Sequence, residues 1–130
     1  MIYSLLVLSP PLSSHGARAA VAFAGAAIAR GHSVNRVFFL DNGAATGDGN
    51  AVLPQDETDI AAAWREFADT HGVELVLCIS SALKRGMLDA GEAARYGKAG
   101  ATLQPGFEIA GLGQLIDAAS AADRLLTFGG

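Results

Sequence analysis

Short, nearly unbroken apolar runs alternate along the chain with longer segments whose apolar positions recur at helical spacing. IYSLLVL (2–8), SVNRVFFL (33–40) and VELVLCI (73–79) have strand length and little in-and-out alternation. Runs of that kind belong to strands covered on both faces. FEIAG (107–111) and RLLTFG (124–129) predict two shorter strands. Between them, ARAAVAFAGAAIAR (17–30) is an alanine-rich helix stopped by Gly31, and DETDIAAAWREFADTHG (56–72) is an amphipathic helix with acids at its start and a glycine after its end. SSALKRGML (80–88) opens with a helical turn, and GQLIDAASAAD (113–123) predicts a last helix. The order βαβαβ(α)βαβ implies one α/β domain over residues 1–130, a three-layer α/β/α sandwich around a mostly parallel sheet of about five strands. Strand order does not follow from the sequence.

Turn formers crowd DNGAATGDGN (41–50), which predicts a mobile loop of the sort that sits over a site. It lacks the lysine and Ser/Thr of a phosphate-binding loop, and GLG at 111–113 lacks the third glycine of a dinucleotide fingerprint. His15, His32 and His71 have no paired metal-ligand spacing, so no metal or other cofactor is expected. DAGEAAR (89–95) reads as a solvated helical face, and Trp64, Phe67, Phe38 and Phe39 read as core.

Composition narrows the function further. Nine Lys and Arg against 13 Asp and Glu give a formal charge of −4, which argues against strong direct binding of nucleic acid. No apolar run approaches the ~20 residues of a membrane span, and the opening run has no basic flank and meets Pro10 and Pro11, so a cytoplasmic protein is expected. One cysteine, Cys78, excludes an internal disulfide and any cysteine-cluster zinc site.

Two readings of Cys78 stand on pattern alone. It ends an apolar run, and buried free cysteine is common core material. It also falls at the carboxyl end of the third predicted strand, where open α/β sheets bind ligands. In that second reading, helical amides after the sulfur and the cations Lys84 and Arg85 favour thiolate over thiol, and an accessible, reactive sulfur follows. Ser80 and Ser81 are either hydrogen-bond donors to the sulfur or helix caps.

Several stretches then occur in an order that resembles the DsrE/TusD family of small sulfurtransferase subunits. They are RVFFL, the AW of AAAWREFADTHGVEL, LVLCISSALKRG, MLDAGEAARYGKA, LQPGFEIAGLGQL and DRLLTF, spread over roughly 36–128. Within the family the likeness is greatest to the TusD branch of the tRNA 2-thiolation relay. The resemblance implies a DsrE-like fold and a sulfur-carrying role for Cys78. Ile79, Ser80, Ser81, Lys84 and Arg85 are then candidates for stabilising its persulfide. It also implies a dimer of heterotrimers with TusB-like and TusC-like subunits, a TusA-like persulfide donor and a TusE-like acceptor. A DsrE-type role in sulfur oxidation and a non-catalytic assembly subunit are the alternatives. After RVFFL the family often carries an aromatic and a charged residue, whereas this chain has Leu40, Asp41 and the glycine-rich stretch.

Overall fold

A computed structural model describes residues 1–129. Five strands, β1 (Ile2–Val7), β2 (Ser33–Phe39), β3 (Glu74–Cys78), β4 (Phe107–Ala110) and β5 (Arg124–Phe128), form one sheet. Its order is β4-β3-β2-β1-β5, and every pairing is parallel. The helices are α1 (His15–Ala29), α2 (Ile60–His71), α3 (Ile79–Lys84), α4 (Ala90–Arg95) and α5 (Gly113–Ala121). The expected α/β class and strand number hold.

Helix boundaries follow local chemistry. Ser14 caps α1 by accepting the Gly16 amide at 3.0 Å, and Asp59 caps α2 by accepting the Ala62 amide at 2.9 Å. This cap starts α2 at Ile60 and leaves Asp56 and Glu57 outside the helix. Gly72 ends it with φ 66, a backbone state that favours glycine.

Right-handed crossovers stepping from β1 to β4 put their helices on one face, and the step back from β4 to β5 puts α5 on the other. The first face holds the main core. Ala20, Ala24 and Ala27 of α1 pack there with Ile60, Ala61 and Trp64 of α2, over Leu5, Val7, Val37, Phe39, Leu75 and Leu77. The second face holds a small cluster of three buried residues, Phe38, Val76 and Cys78, with Leu115 of α5 against it. Polar ties fasten α5 as well: Ser4 Oγ donates to Ala118 O at 2.8 Å, and Arg36 Nη1 donates to Gln114 O at 2.9 Å.

The glycine-rich stretch departs from expectation. Residues Asp41–Gly47 form a packed 3-10 helix with Gly43, Ala44, Thr46 and Gly47 buried, not a mobile loop. A Cβ on Gly43 would lie 2.1 Å from Val7 O, and one on Gly47 would lie 2.3 Å from Leu77 Cδ1. These glycines therefore serve close approach to the sheet, a demand that composition alone reads as a turn signal. Beyond them, Gly49 N donates to Thr102 O at 2.7 Å and Gln104 N to Gly47 O at 2.8 Å, which clamps the segment to the chain before β4.

Candidate functional site

Cys78 is the last residue of β3 and the N-cap of α3. Parallel pairing sets it beside Ala110 of β4. Alternation along β3 turns Leu75 and Leu77 into the main core, so Val76 and Cys78 point to the face that α5 covers. Leu6, Leu40, Ala110 and Leu115 close around the small cluster, and Cys78 is left 4% exposed. The accessible sulfur expected on the second reading of Cys78 is thus absent from the isolated chain, and the buried position of the first reading is found. The physical reason is that the apolar run of β3 continues to its last residue and the side chain stays within the packed layer.

Ile79, Ser80 and Ser81 open α3, and the first amides of a helix have no partner within it. Ile79 is half-buried and Ser80 exposed. Ser81 is buried, and its Oγ accepts the Asp41 amide at 2.9 Å. Arg85 spans the same junction, donating from Nη1 to Ser81 O at 3.1 Å and from Nη2 to Asn42 Oδ1 at 3.0 Å. Ser81 and Arg85 therefore tie α3 to the 3-10 helix after β2. Lys84 is exposed in the last turn of α3, at the end remote from the sulfur.

Sequence reasoning marks Asp41 only as a departure from the family pattern and does not mark Asn42, although both meet α3 directly. Asp41 has φ 51, the only non-glycine residue with positive φ among the described residues. Aspartate tolerates that state better than most side chains, and the turn aims the Asp41 amide at Ser81. The signal available was the Asp-Asn-Gly run after a buried strand, which marks a tight backbone reversal.

The histidines have structural neighbours. His32 Nδ1 lies 2.8 Å from the N-terminal amine and its ring meets Tyr3 edge to face, while His71 packs on Phe67 with ring centres 4.8 Å apart. No group of three or more His, Cys, Asp or Glu suited to a metal occurs among the described residues. A cleft of about 290 Å3 opens between Pro10–Ser13, the 3-10 helix and the start of α2; Cys78 does not line it.

A lone cysteine thus stands at the carboxyl edge of a parallel sheet, followed at once by a helical turn. The DsrE/DsrF-like family model matches residues 1–128. The chain belongs to the DsrE/DsrF-like family. A sulfurtransferase TusD homolog of Pseudomonas aeruginosa is 47% identical over 130 residues, covering 100% of this chain and 98% of that protein. The sulfurtransferase TusD of Cronobacter sakazakii is 40% identical over 128 residues, 98% of this chain and 100% of that one. A DsrE protein of Allochromatium vinosum, given as a candidate sulfurtransferase, is 39% identical over 129 residues, 99% of both chains. The crystal structure of the YchN protein from E. coli matches the fold with a TM-score of 0.68 at 22% identity, over 98% of this chain and 100% of that one. Sulfur transfer is the enzymatic class this kinship gives the chain. No helix among the described residues is long and apolar enough to cross a membrane.

Proposed function

We propose that the chain carries persulfide sulfur on Cys78 in the relay that 2-thiolates the wobble uridine of tRNA. The observation that carries this reading is the placement of the lone cysteine at the carboxyl end of β3, where α3 begins. Full-length relatives named TusD support it. The Cys78 thiolate attacks the outer sulfur of a donor persulfide R–S–SH. A new S–S bond forms, the donor's S–S bond breaks, and the donor leaves as R–S⁻. An acceptor thiolate then attacks the outer sulfur of Cys78–S–SH and regenerates the Cys78 thiolate, with no net oxidation. Open amides at the start of α3 offer hydrogen bonds to the anionic persulfide.

The reading extends to assembly and location: a cytoplasmic dimer of heterotrimers with TusB-like and TusC-like subunits, fed by a TusA-like donor and drained by a TusE-like acceptor. With Cys78 only 4% exposed beneath Leu6, Leu40, Ala110 and Leu115, transfer requires this cover to open as the carriers engage. The same burial favours a second reading, in which Cys78 is core and the chain is an assembly subunit without chemistry.

Replacing Cys78 with Ala decides between them. The change deletes one buried sulfur and introduces no polar group, so folding and subunit assembly survive. Loss of 2-thiouridine in tRNA nucleosides by mass spectrometry, with the complex purifying intact, is the expected result. Normal 2-thiouridine in cells whose only copy is this variant overturns the carrier role. Cys78→Ser serves as the check should the alanine variant fail to assemble. Normal thiolation with impaired growth on reduced sulfur compounds points instead to the alternative role in sulfur oxidation.

A further inference from the structure

We propose that a basic trough at the far end of α3 docks an acidic polypeptide segment carrying a large apolar side chain. This rests on the sulfur-carrier reading, since the segment belongs to the thiol protein that collects sulfur from Cys78. Lys84 ends α3, and Lys98 follows Gly97, whose φ of 66 turns the chain after α4. The fold brings these two lysines to one trough of about 640 Å3 with Leu83, Leu88 and Tyr96. Gly86, Leu88 and Lys98 also bound a neighbouring depression of about 500 Å3, so the trough continues along the surface. An elongated groove of this kind fits an extended chain better than a compact ligand.

Its chemistry selects the occupant. Both lysines are exposed, and neither makes a salt bridge among the described residues. Tyr96 is 52% exposed with the Arg95 guanidinium 5.4 Å from its ring centre. An exposed aromatic ring that shares a trough with two lysines and two leucines suits a partner that brings both carboxylates and an apolar anchor. Charge is polarised to match. Residues 84–98 hold four cations, Lys84, Arg85, Arg95 and Lys98, against Asp89 and Glu92, an excess of +2 in a chain of net −4, so the remainder carries −6. An acidic segment is drawn to this trough and repelled elsewhere. Nucleic acid is disfavoured because its phosphates would meet two lysines beside an apolar floor and then the acidic remainder. Lys84 lies six residues past Cys78, about 9 Å along a helix, which sets the trough one short helix away from the sulfur.

The test uses the chain in its native assembly and three fluorescein-labelled probes. These are a short Asp/Glu-rich peptide with one Phe and one Leu, the same peptide with Asn/Gln for the acids, and a single-stranded RNA of equal length. Fluorescence anisotropy at low salt should show saturable binding of the acidic peptide. Binding should weaken about ten-fold in a Lys84→Ala/Lys98→Ala double variant and fall in Tyr96→Ala, and the lysine effect should shrink as salt rises. Equal binding by the double variant and the parent overturns the proposal, as does RNA binding tighter than the acidic peptide with the same lysine dependence. Sulfur loading of the parent Cys78 by inorganic polysulfide is read on the same preparation by mass spectrometry. Absent loading sinks the carrier reading alone, since the anisotropy result stands without it.

Discussion

Phe38 and Phe39 are adjacent, both 0% exposed, and they point into different worlds. Phe39 faces the side covered by α1 and α2, where its ring meets Trp64 at 5.9 Å and Phe107 at 5.7 Å. Phe38 faces the side covered by α5, where its buried companions are Val76 and Cys78. One face is a deep core of interlocking aromatic and aliphatic side chains. The other is a thin layer under one nine-residue helix, with Leu112 and Ile116 of that helix region 53% and 65% exposed. The difference teaches that the two faces do different work: the thick layer holds the sheet, and the thin one holds the sulfur.

Alanine at each phenylalanine in turn breaks this comparison most severely. Phe39→Ala opens a cavity in the thick layer and removes two aromatic contacts, at a cost of about 3–5 kcal/mol, measured by denaturant unfolding. Phe38→Ala costs less, because the thin layer can settle into the space more readily. Its distinctive effect is on Cys78, whose labelling by a thiol reagent should accelerate well beyond that of the Phe39 variant when both are compared at equal fractions folded. Equal labelling in the two variants would mean that the faces do not differ in their hold on the sulfur.

Gly43→Ala tests the join between the layers and the 3-10 helix. The added methyl would sit 2.1 Å from Val7 O, a backbone atom, so the segment must shift and not merely a side chain. The expected cost is about 1–3 kcal/mol. Cys78 labelling should rise with it, because the Asp41 amide is pulled from Ser81 Oγ. A destabilised variant with parental labelling would show that the 3-10 helix does not keep α3 in place.

What the sequence displayed and what it hid follow the same division. Strands and helices were legible because each is specified locally, by an unbroken apolar run or by a cap such as Asp59 and a stop such as Gly72. The strand order was not, since strands buried on both faces carry no alternation to mark edge from centre. That lack of alternation also hid which face Cys78 takes, although its burial was one of the two readings the pattern offered. The 3-10 helix was misread as mobile because Gly43 and Gly47 answer to Val7 and Leu77, contacts distant in sequence. Lys84 was marked for its nearness to Cys78 in sequence, yet the structure pairs it with Lys98 at one trough. Family likeness, by contrast, was legible in the ordered stretches around LVLCISSALKRG.

The smallest effect should come from Arg85→Ala, which leaves both layers intact and cuts only the strap between α3 and the 3-10 helix. Arg85 is exposed, and its two bonds, to Ser81 O and Asn42 Oδ1, compete with water, so the global unfolding midpoint should hardly move. Local opening is a different quantity. Labelling of a buried Cys78 requires local opening, and an opening at the α3 junction next to it is governed by contacts across that junction and not by the whole core. Removing the strap should therefore raise the labelling rate about two- to five-fold at unchanged global stability, the change expected from one modest hydrogen bond. Asn42→Ala should reproduce part of the gain, and the double variant should add little to Arg85→Ala because the two side chains share one bond. Labelling unchanged in all three would place the gate over Cys78 elsewhere, with Leu115 of α5 as the remaining cover to remove.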